Sequence, residues 1–473
     1  MRQRIAIVGA GVAGLGAAWA LSRHPERYDI EVYEAAPVLG GNARTADFPR
    51  KDGGTVPADV SVTAFIPSVY QNYVELLSLL GIETVRTRFS YAVHYGDDVY
   101  AHDLDTPLRR RLAGDIAAFR RLLRTVGRLN VLNKRPSRAT AALNPFNYVT
   151  MRRALDLWGV SPEFRYKILK PLFVNFVLTS GVFAMPASMF VRYLDFFDIE
   201  HSTPMVTWQG GTRAVYARLT EGFARRVHLG RPVTALFRRP DGVRVGDAHG
   251  VTERFDHAVL ACNADQALAL LRPADALERR LLGAVRYESG LHGNAVAHTD
   301  ASLLPDDGGE GGDRGDGGDG GDGLNVAGTR STFVRHRGGG RPDDYEITYV
   351  MHNQQPWGDG AASPCLVTYN AHRQPDPGKV VGRHRFRHIV HDLRHTLVLH
   401  PLLPLLQGRR RTWYCGAHTT FNSQEHAFLS GLAVAHRLGA DYPFAANEEA
   451  ARWFRFYGRM CLGPRFRATR RHP

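Results

Sequence analysis

Cysteine is scarce in this chain, with Cys262, Cys365, Cys415 and Cys461 alone among 473 residues. So few thiols exclude a disulfide framework and point to a reducing, cytoplasmic setting. Long apolar runs are missing too. None reaches the ~18 residues that a membrane-spanning helix needs. Glycines interrupt the apolar N-terminus, so it is expected to open the first domain rather than act as a cleaved signal. Lysine is nearly absent, at Lys51, Lys134, Lys167, Lys170 and Lys379 only, so arginine carries almost all of the +14 formal charge. Such a balance suits anionic lipid, nucleic acid or an acidic carrier protein, or else a bias spread over a solvated surface. No nucleic-acid motif accompanies it, and nucleic acid is not expected as a partner. At 473 residues the chain is too long for one simple core and should divide into two or three units.

What is present begins at once. Ile5-Ala6-Ile7-Val8 reads as a short buried strand, Gly9-Ala10-Gly11-Val12-Ala13-Gly14 as a Gly-x-Gly-x-x-Gly turn, and the run to about Ser22 as a helix. Gly9 permits the tight turn, Gly11 lets the backbone approach a pyrophosphate, and Gly14 lets helix pack on strand. Ala13 lies in the first helical turn, whose free N–H groups and positive dipole end favour phosphate. A second strand, Ile30-Glu31-Val32-Tyr33, ends at Glu34, placed to accept hydrogen bonds from ribose hydroxyls and to repel a 2′-phosphate. Strand, turn, helix, strand and acid fall in the order of a dinucleotide-binding unit.

After Glu34 comes Ala35-Ala36-Pro37-Val38-Leu39-Gly40-Gly41-Asn42-Ala43-Arg44-Thr45. Here the sequence resembles the FAD-dependent amine oxidase and phytoene desaturase superfamily, in which a Leu-Gly-Gly turn follows the ribose-binding glutamate. The resemblance implies FAD, with Gly40 and Gly41 passing close to the pyrophosphate and Arg44 neutralising its charge. Asn42 stands where the family arginine usually follows the glycines. The segment Asp52 to Phe65, with Ser61 and Val62, resembles the stretch that runs along the isoalloxazine ring, a plain loop and strand being the alternative. The family's adenine-contacting backbone residue falls at Val233. Arg411 to His418, then Glu425 to Ala435, resemble the C-terminal flavin motif, implying contacts from Gly416, Ala427 and Phe428. Ala417 replaces the acid that commonly follows this glycine. The likeness is closest to a bacterial branch of predicted NAD/FAD-binding oxidoreductases, some of which accompany fatty-acid modifying enzymes.

The implied fold is α/β: a Rossmann-type FAD-binding domain with an inserted α+β substrate domain. Residues 1–88, 206–265 and 406–445 are assigned to the FAD-binding domain, 89–205 and 266–405 to the substrate domain, and 446–473 to a basic tail carrying Arg465, Arg467, Arg470 and Arg471. Within the insertion, Leu108, Leu112, Ile116, Phe119, Leu123 and Val126 recur at helical spacing among arginines. That arginine face lies in water or against an anionic membrane. Phe173 to Phe197 is the most aromatic stretch, lining an apolar tunnel or filling the core. Asp306 to Gly323, almost all glycine and aspartate, should be a solvated insertion. It lacks an EF-hand pattern, and no metal site is expected.

A flavin brings the redox chemistry. Many amine oxidases hold a water near the flavin with a lysine, and Lys379, the one lysine after Lys170, does not stand on such a strand. Oxidation of an amine thereby loses support. His418, Glu425 and His426 flank the flavin motif as candidates for proton handling or as structural hydrogen-bonding groups. Cys415 is either a covalent flavin attachment point or a small buried residue. The expected function is an FAD-dependent dehydrogenase or desaturase acting on a hydrophobic acyl or polyene substrate. The alternatives are a redox-neutral double-bond isomerase, an amine oxidase and a non-catalytic flavin-binding protein. Contact with an acyl carrier or a membrane surface would suit the charge.

Overall fold

Ile5, Ala6, Ile7 and Val8 are all buried, as a strand covered on both faces requires. The computed structural model describes residues 2–134, 141–194, 197–304, 330–338, 340–355, 361 and 364–467. In it, five strands form one parallel sheet: β1 (Gln3–Val8), β2 (Tyr28–Tyr33), β3 (Val227–His228), β4 (His257–Leu260) and β5 (Thr412–Tyr414). Their spatial order is β5-β4-β1-β2-β3. The central register pairs Ile7 with Val32 on one side and with Val259 on the other. Three distant stretches of chain therefore meet in one sheet.

α1 (Val12–Ser22) packs on β1 and β2, and α2 (Gln71–Leu79), α3 (Gly211–Thr220), α4 (Gln424–Leu438) and α5 (Glu448–Leu462) share its buried cluster. α1 and α4 pack closely because both present small residues, among them Ala13, Ala20, Ala433 and Ala435, in the same buried cluster. Val233–Arg239 and Gly242–Asp247 pair as an antiparallel hairpin.

A seven-stranded mixed sheet makes the second body, with Asn294–His298, Leu366–Tyr369, Tyr345–Val350 and Thr332–His336 antiparallel at its centre. The helix Ala113–Leu129 and its neighbours cover it, and Phe119, Phe164, Leu172 and Tyr369 share its core.

Three expectations need correction. The helical pattern from Leu108 to Val126 is two helices, Pro107–Arg111 and Ala113–Leu129, because Leu112 leaves helical geometry at φ −96, ψ 15. Three of its arginines have partners, Arg109 and Arg120 on Glu200 and Arg111 on Asp98 and Glu163, while Arg121 and Arg124 are exposed to solvent. Residues 266–285 stay with the cofactor-side body, since Leu271–Arg272 pairs with Val233–Arg239 in a four-stranded sheet and Leu281 and Leu282 share a core with Ala6, Val8 and Leu260. The segment expected as a tail from 446 holds α5 instead, which buries Ala450, Ala451, Phe454, Tyr457 and Cys461. Asp306 to Gly323, Arg470 and Arg471 lie outside the described residues. Among the described residues, no helix is long and apolar enough to cross a membrane.

Candidate functional site

The turn between β1 and α1 opens on a cavity of about 820 Å³ that runs from the sheet to the inserted body. Gly9 takes φ +109, where side chains are strained, and a Cβ on it would stand 2.9 Å from the Ala261 carbonyl oxygen. Gly14 has no room for a side chain, since its Cβ would lie 1.9 Å from the Gly9 oxygen. Gly11 differs. It caps α1 at φ −76, ψ 173 without a side-chain hydrogen bond, and the nearest atom to a Cβ there is Gly41 Cα at 3.8 Å. Only the cavity explains its missing side chain. Ala13 lines the cavity beside it, while Gly14 is spent on packing.

Glu34 lines the same wall. Its two carboxylate oxygens accept the Ala10 N–H at 2.7 Å and the Ala36 N–H at 2.9 Å, which fixes the group and leaves acceptor sites open. Gly40 N–H donates to the Ala10 carbonyl at 2.9 Å, bringing Gly41 beside Gly11. Arg44 donates to the Leu39 carbonyl at 2.8 Å, and burial lowers its pKa against the opposing charge of Glu34. Asn42 lines the cavity and donates to the Arg387 carbonyl at 3.0 Å. Ser61, Val62, Val233, Gly416 and Ala427 line it as well.

Asp59 anchors the Ser61–Val62 segment. It is fully buried and accepts from Thr45, Thr212, Trp208 and Gln355, groups supplied by both bodies. Burial raises its pKa and these bonds oppose the rise.

The three expected proton-handling residues separate. His426 lines the cavity, with Nδ1 at 2.5 Å from Ser423 Oγ and Nε2 at 2.6 Å from Tyr457 Oη. Burial lowers its pKa to about 3, so it is neutral near pH 7. His418 also lines the cavity; burial takes its pKa to about 3, and its Nε2 has no partner among the described residues. Glu425 faces away. Its carboxylate accepts from Asn72 N, Asn72 Nδ2 and Tyr73 N at 3.0, 3.0 and 2.7 Å, capping α2, and burial pushes its pKa up to about 7. Phe428 also turns away, packing in the core near Trp19 because its place on α4 faces α1. Cys415 is buried with its pKa raised, and Cys262 is the cysteine on the cavity wall.

The aromatic stretch splits as well. Phe173 stacks on Phe190 at 3.7 Å in the core, whereas Phe176 and Phe197 line the cavity. Trp453, Tyr457 and Met460 of α5 face them, and Arg192 completes that end. These α5 residues escaped the sequence reading, although Asn447 as a cap before Glu448 and Glu449 signals a helix start.

A parallel-sheet dinucleotide fold whose cavity extends beneath an inserted sheet defines a cofactor-dependent oxidoreductase. The sequence profile of flavin containing amine oxidoreductases matches residues 12–357, and the chain belongs to that family. It is an FAD-dependent oxidoreductase. No curated protein matches the chain in sequence. Among solved structures it is similar to a CLA-producing fatty acid isomerase from P. acnes, at TM-score 0.64 and 17% identity over 92% of this chain and 99% of that one. A putrescine oxidase variant gives TM-score 0.62 at 14% identity, covering 93% and 99% of the two chains. Cyclohexylamine oxidase from Brevibacterium oxydans gives 0.60 at 16%, covering 93% and 100%.

Proposed function

We propose that this enzyme dehydrogenates or desaturates a hydrophobic acyl or polyene substrate held beside FAD. Gly9, Gly11, Ala13, Gly40, Gly41 and Arg44 would hold the pyrophosphate, Glu34 a ribose, and the Val233 backbone the adenine. Ser61, Val62, Gly416 and Ala427 line the part left for the ring system. When bound, FAD supplies a two-electron acceptor. The chain's own contribution is to exclude water, seat the substrate and hold protons.

One observation carries the substrate class. The end of the cavity beyond Ser61 is lined by Phe89, Phe176, Phe197, Met189, Trp453 and Met460, with no acid among the described residues that line it there. Glu34, the one lining acid among the described residues, is engaged by Ala10 and Ala36. An ammonium group would meet no counter-charge, whereas an apolar chain gains about 25 cal/mol for each Å² it buries. His426, neutral between Ser423 and Tyr457, is the group we assign to proton handling, and its two hydrogen bonds give a proton a path along the wall. Redox-neutral isomerisation of a double bond is the second reading, favoured by the fold likeness to the fatty acid isomerase.

Anaerobic mixing of the flavin-loaded enzyme with long-chain unsaturated lipids tests both. Lasting flavin bleaching marks net oxidation, and product without lasting bleaching marks isomerisation. Binding of primary amines at lower concentration than the lipids would return amine oxidation to first place.

A further inference from the structure

Several partly buried arginines of this protein have acids beside them. Arg109 meets Glu200 at 2.7 Å, Arg165 meets Asp156 at 2.6 Å, and Arg231 meets Asp247 at 2.5 Å. Arg192 is placed differently. It stands in the last turn of the helix Ala187–Leu194, is partly buried, and lines the apolar end of the cavity. Among the described residues no Asp or Glu oxygen lies within salt-bridge distance of it. Its guanidinium sits 5.7 Å from the Phe456 ring centre, and its charge opposes the rise that burial gives the pKa of the Tyr457 hydroxyl. A guanidinium beside an apolar chamber whose described lining holds no acid at that end favours an anionic head group over a neutral or cationic one.

We infer that Arg192 binds the carboxylate of a long-chain free acid whose tail fills the chamber of Phe176, Phe197, Met189, Trp453 and Met460. This rests on the hydrophobic-substrate reading above and adds the head group to it. Trp453, Phe456 and Met460 are half-buried, so the Arg192 end is where the chamber reaches solvent. An amphiphile entering there would keep its charged end at the rim and its chain inside. A guanidinium suits a carboxylate because its planar fork offers two parallel N–H donors. Tyr457 stands beside it as a further polar contact for the same head group. An acyl chain on a carrier has its carboxyl tied up as a thioester, so the assignment puts the free acid ahead of a carrier-bound one.

The test titrates flavin-loaded protein with an unsaturated long-chain acid, its methyl ester and the primary amine of equal chain length, all as monomers near neutral pH. Flavin absorbance and calorimetry report binding. The acid should bind about tenfold or more tightly than the ester, the range of a charge-assisted hydrogen-bonded contact. Arg192→Gln should bring the acid down to the ester's affinity and leave the ester unchanged, and Arg192→Lys should recover part of the difference. Acid and ester binding equally to the wild type would overturn the assignment while the apolar chamber stands. So would an Arg192→Gln protein that keeps the preference. If none of the three chains binds and short amines do, the assignment and the hydrophobic-substrate reading fall together.

Discussion

His391 Nδ1 lies 3.2 Å from His395 Nδ1 in the packed interior, and the groups around the pair leave one arrangement of protons. The Asn422 N–H donates to His391 Nε2 at 3.2 Å, so that nitrogen is bare and the proton sits on Nδ1. His395 Nδ1 accepts it, and His395 Nε2–H donates to the His418 carbonyl at 2.8 Å. Two neutral rings in defined tautomers thus tie the segment after Val390 to the cavity loop Gly416–Asn422. A second proton on either ring would set two donors against each other. Neutrality is part of the architecture.

Acid should therefore unfold this protein early. Burial lowers the pKa of His395 and His388 to about 4 and of His102, His418 and His426 to about 3, from the ordinary 6.5. With folded values below unfolded ones, the unfolded chain binds more protons between about pH 4 and 6.5. The contribution is complete above about pH 6.5 and shrinks by about 1.4 kcal/mol per ring for each pH unit lost below it. Denaturant titrations at about pH 7.5 and 5.5 should show a marked fall in midpoint, with about three or more protons taken up on unfolding. An unchanged midpoint would mean that these rings are charged in the fold.

Arg238 and Glu278 form the most buried ion pair among the described residues, each side chain 2% exposed. Glu278 also accepts the Asp275 N–H at 2.8 Å, capping the helix Ala276–Leu282. Arg238→Met should cost about 3–5 kcal/mol, because it strands a buried carboxylate. Thermal melts should show the loss, and Arg238→Met with Glu278→Gln should recover part of it. A single variant as stable as wild type would show that Glu278 takes up a proton at little cost.

The parallel sheet was legible because β1, the glycine turn and Glu34 obey local rules. A short buried strand, a sharp turn and an acid at the end of the next strand each leave a mark in sequence. Gly11 and Arg44 were readable for the same reason. α5 was not, because its arginines dominate the composition while the burial of Phe454 and Tyr457 depends on packing against α2 and α4. Nor could sequence tell His426 from Glu425. They are neighbours on one helix start, and a rotation of about 100° per residue sends one into the cavity and the other to α2. Arg192 was hidden by the abundance of arginine, since only the surroundings show which one lines the apolar end of the cavity.

That separation makes a prediction. Glu425→Ala removes the acceptor for three donors of Asn72 and Tyr73, so it should lower stability by about 2–4 kcal/mol. Turnover per bound flavin should change little. His426→Ala should do the reverse, leaving the melting temperature closer to wild type and cutting turnover about tenfold or more. Rates and melts on both proteins decide it, and a Glu425→Ala enzyme that is stable but inactive would reverse the two roles.

Gly11 and Gly14 are three residues apart and should fail in different ways. At Gly14 the obstacle is the protein itself, because any Cβ would meet the Gly9 carbonyl at 1.9 Å and force α1 off β1. Gly14→Val should give little folded protein. At Gly11 the backbone, φ −76 and ψ 173, suits any residue, and no protein atom lies closer than 3.8 Å to a Cβ there. Gly11→Val should fold and come out colourless, its side chain standing where the pyrophosphate must pass. Its melting temperature should match that of wild type stripped of flavin rather than the loaded enzyme, since a ligand that binds only the folded state raises stability by mass action. Adding FAD should then raise the wild-type value and leave the variant's where it was. A folded Gly11→Val protein that retains FAD stoichiometrically would place the phosphates elsewhere and undo the assignment of this turn.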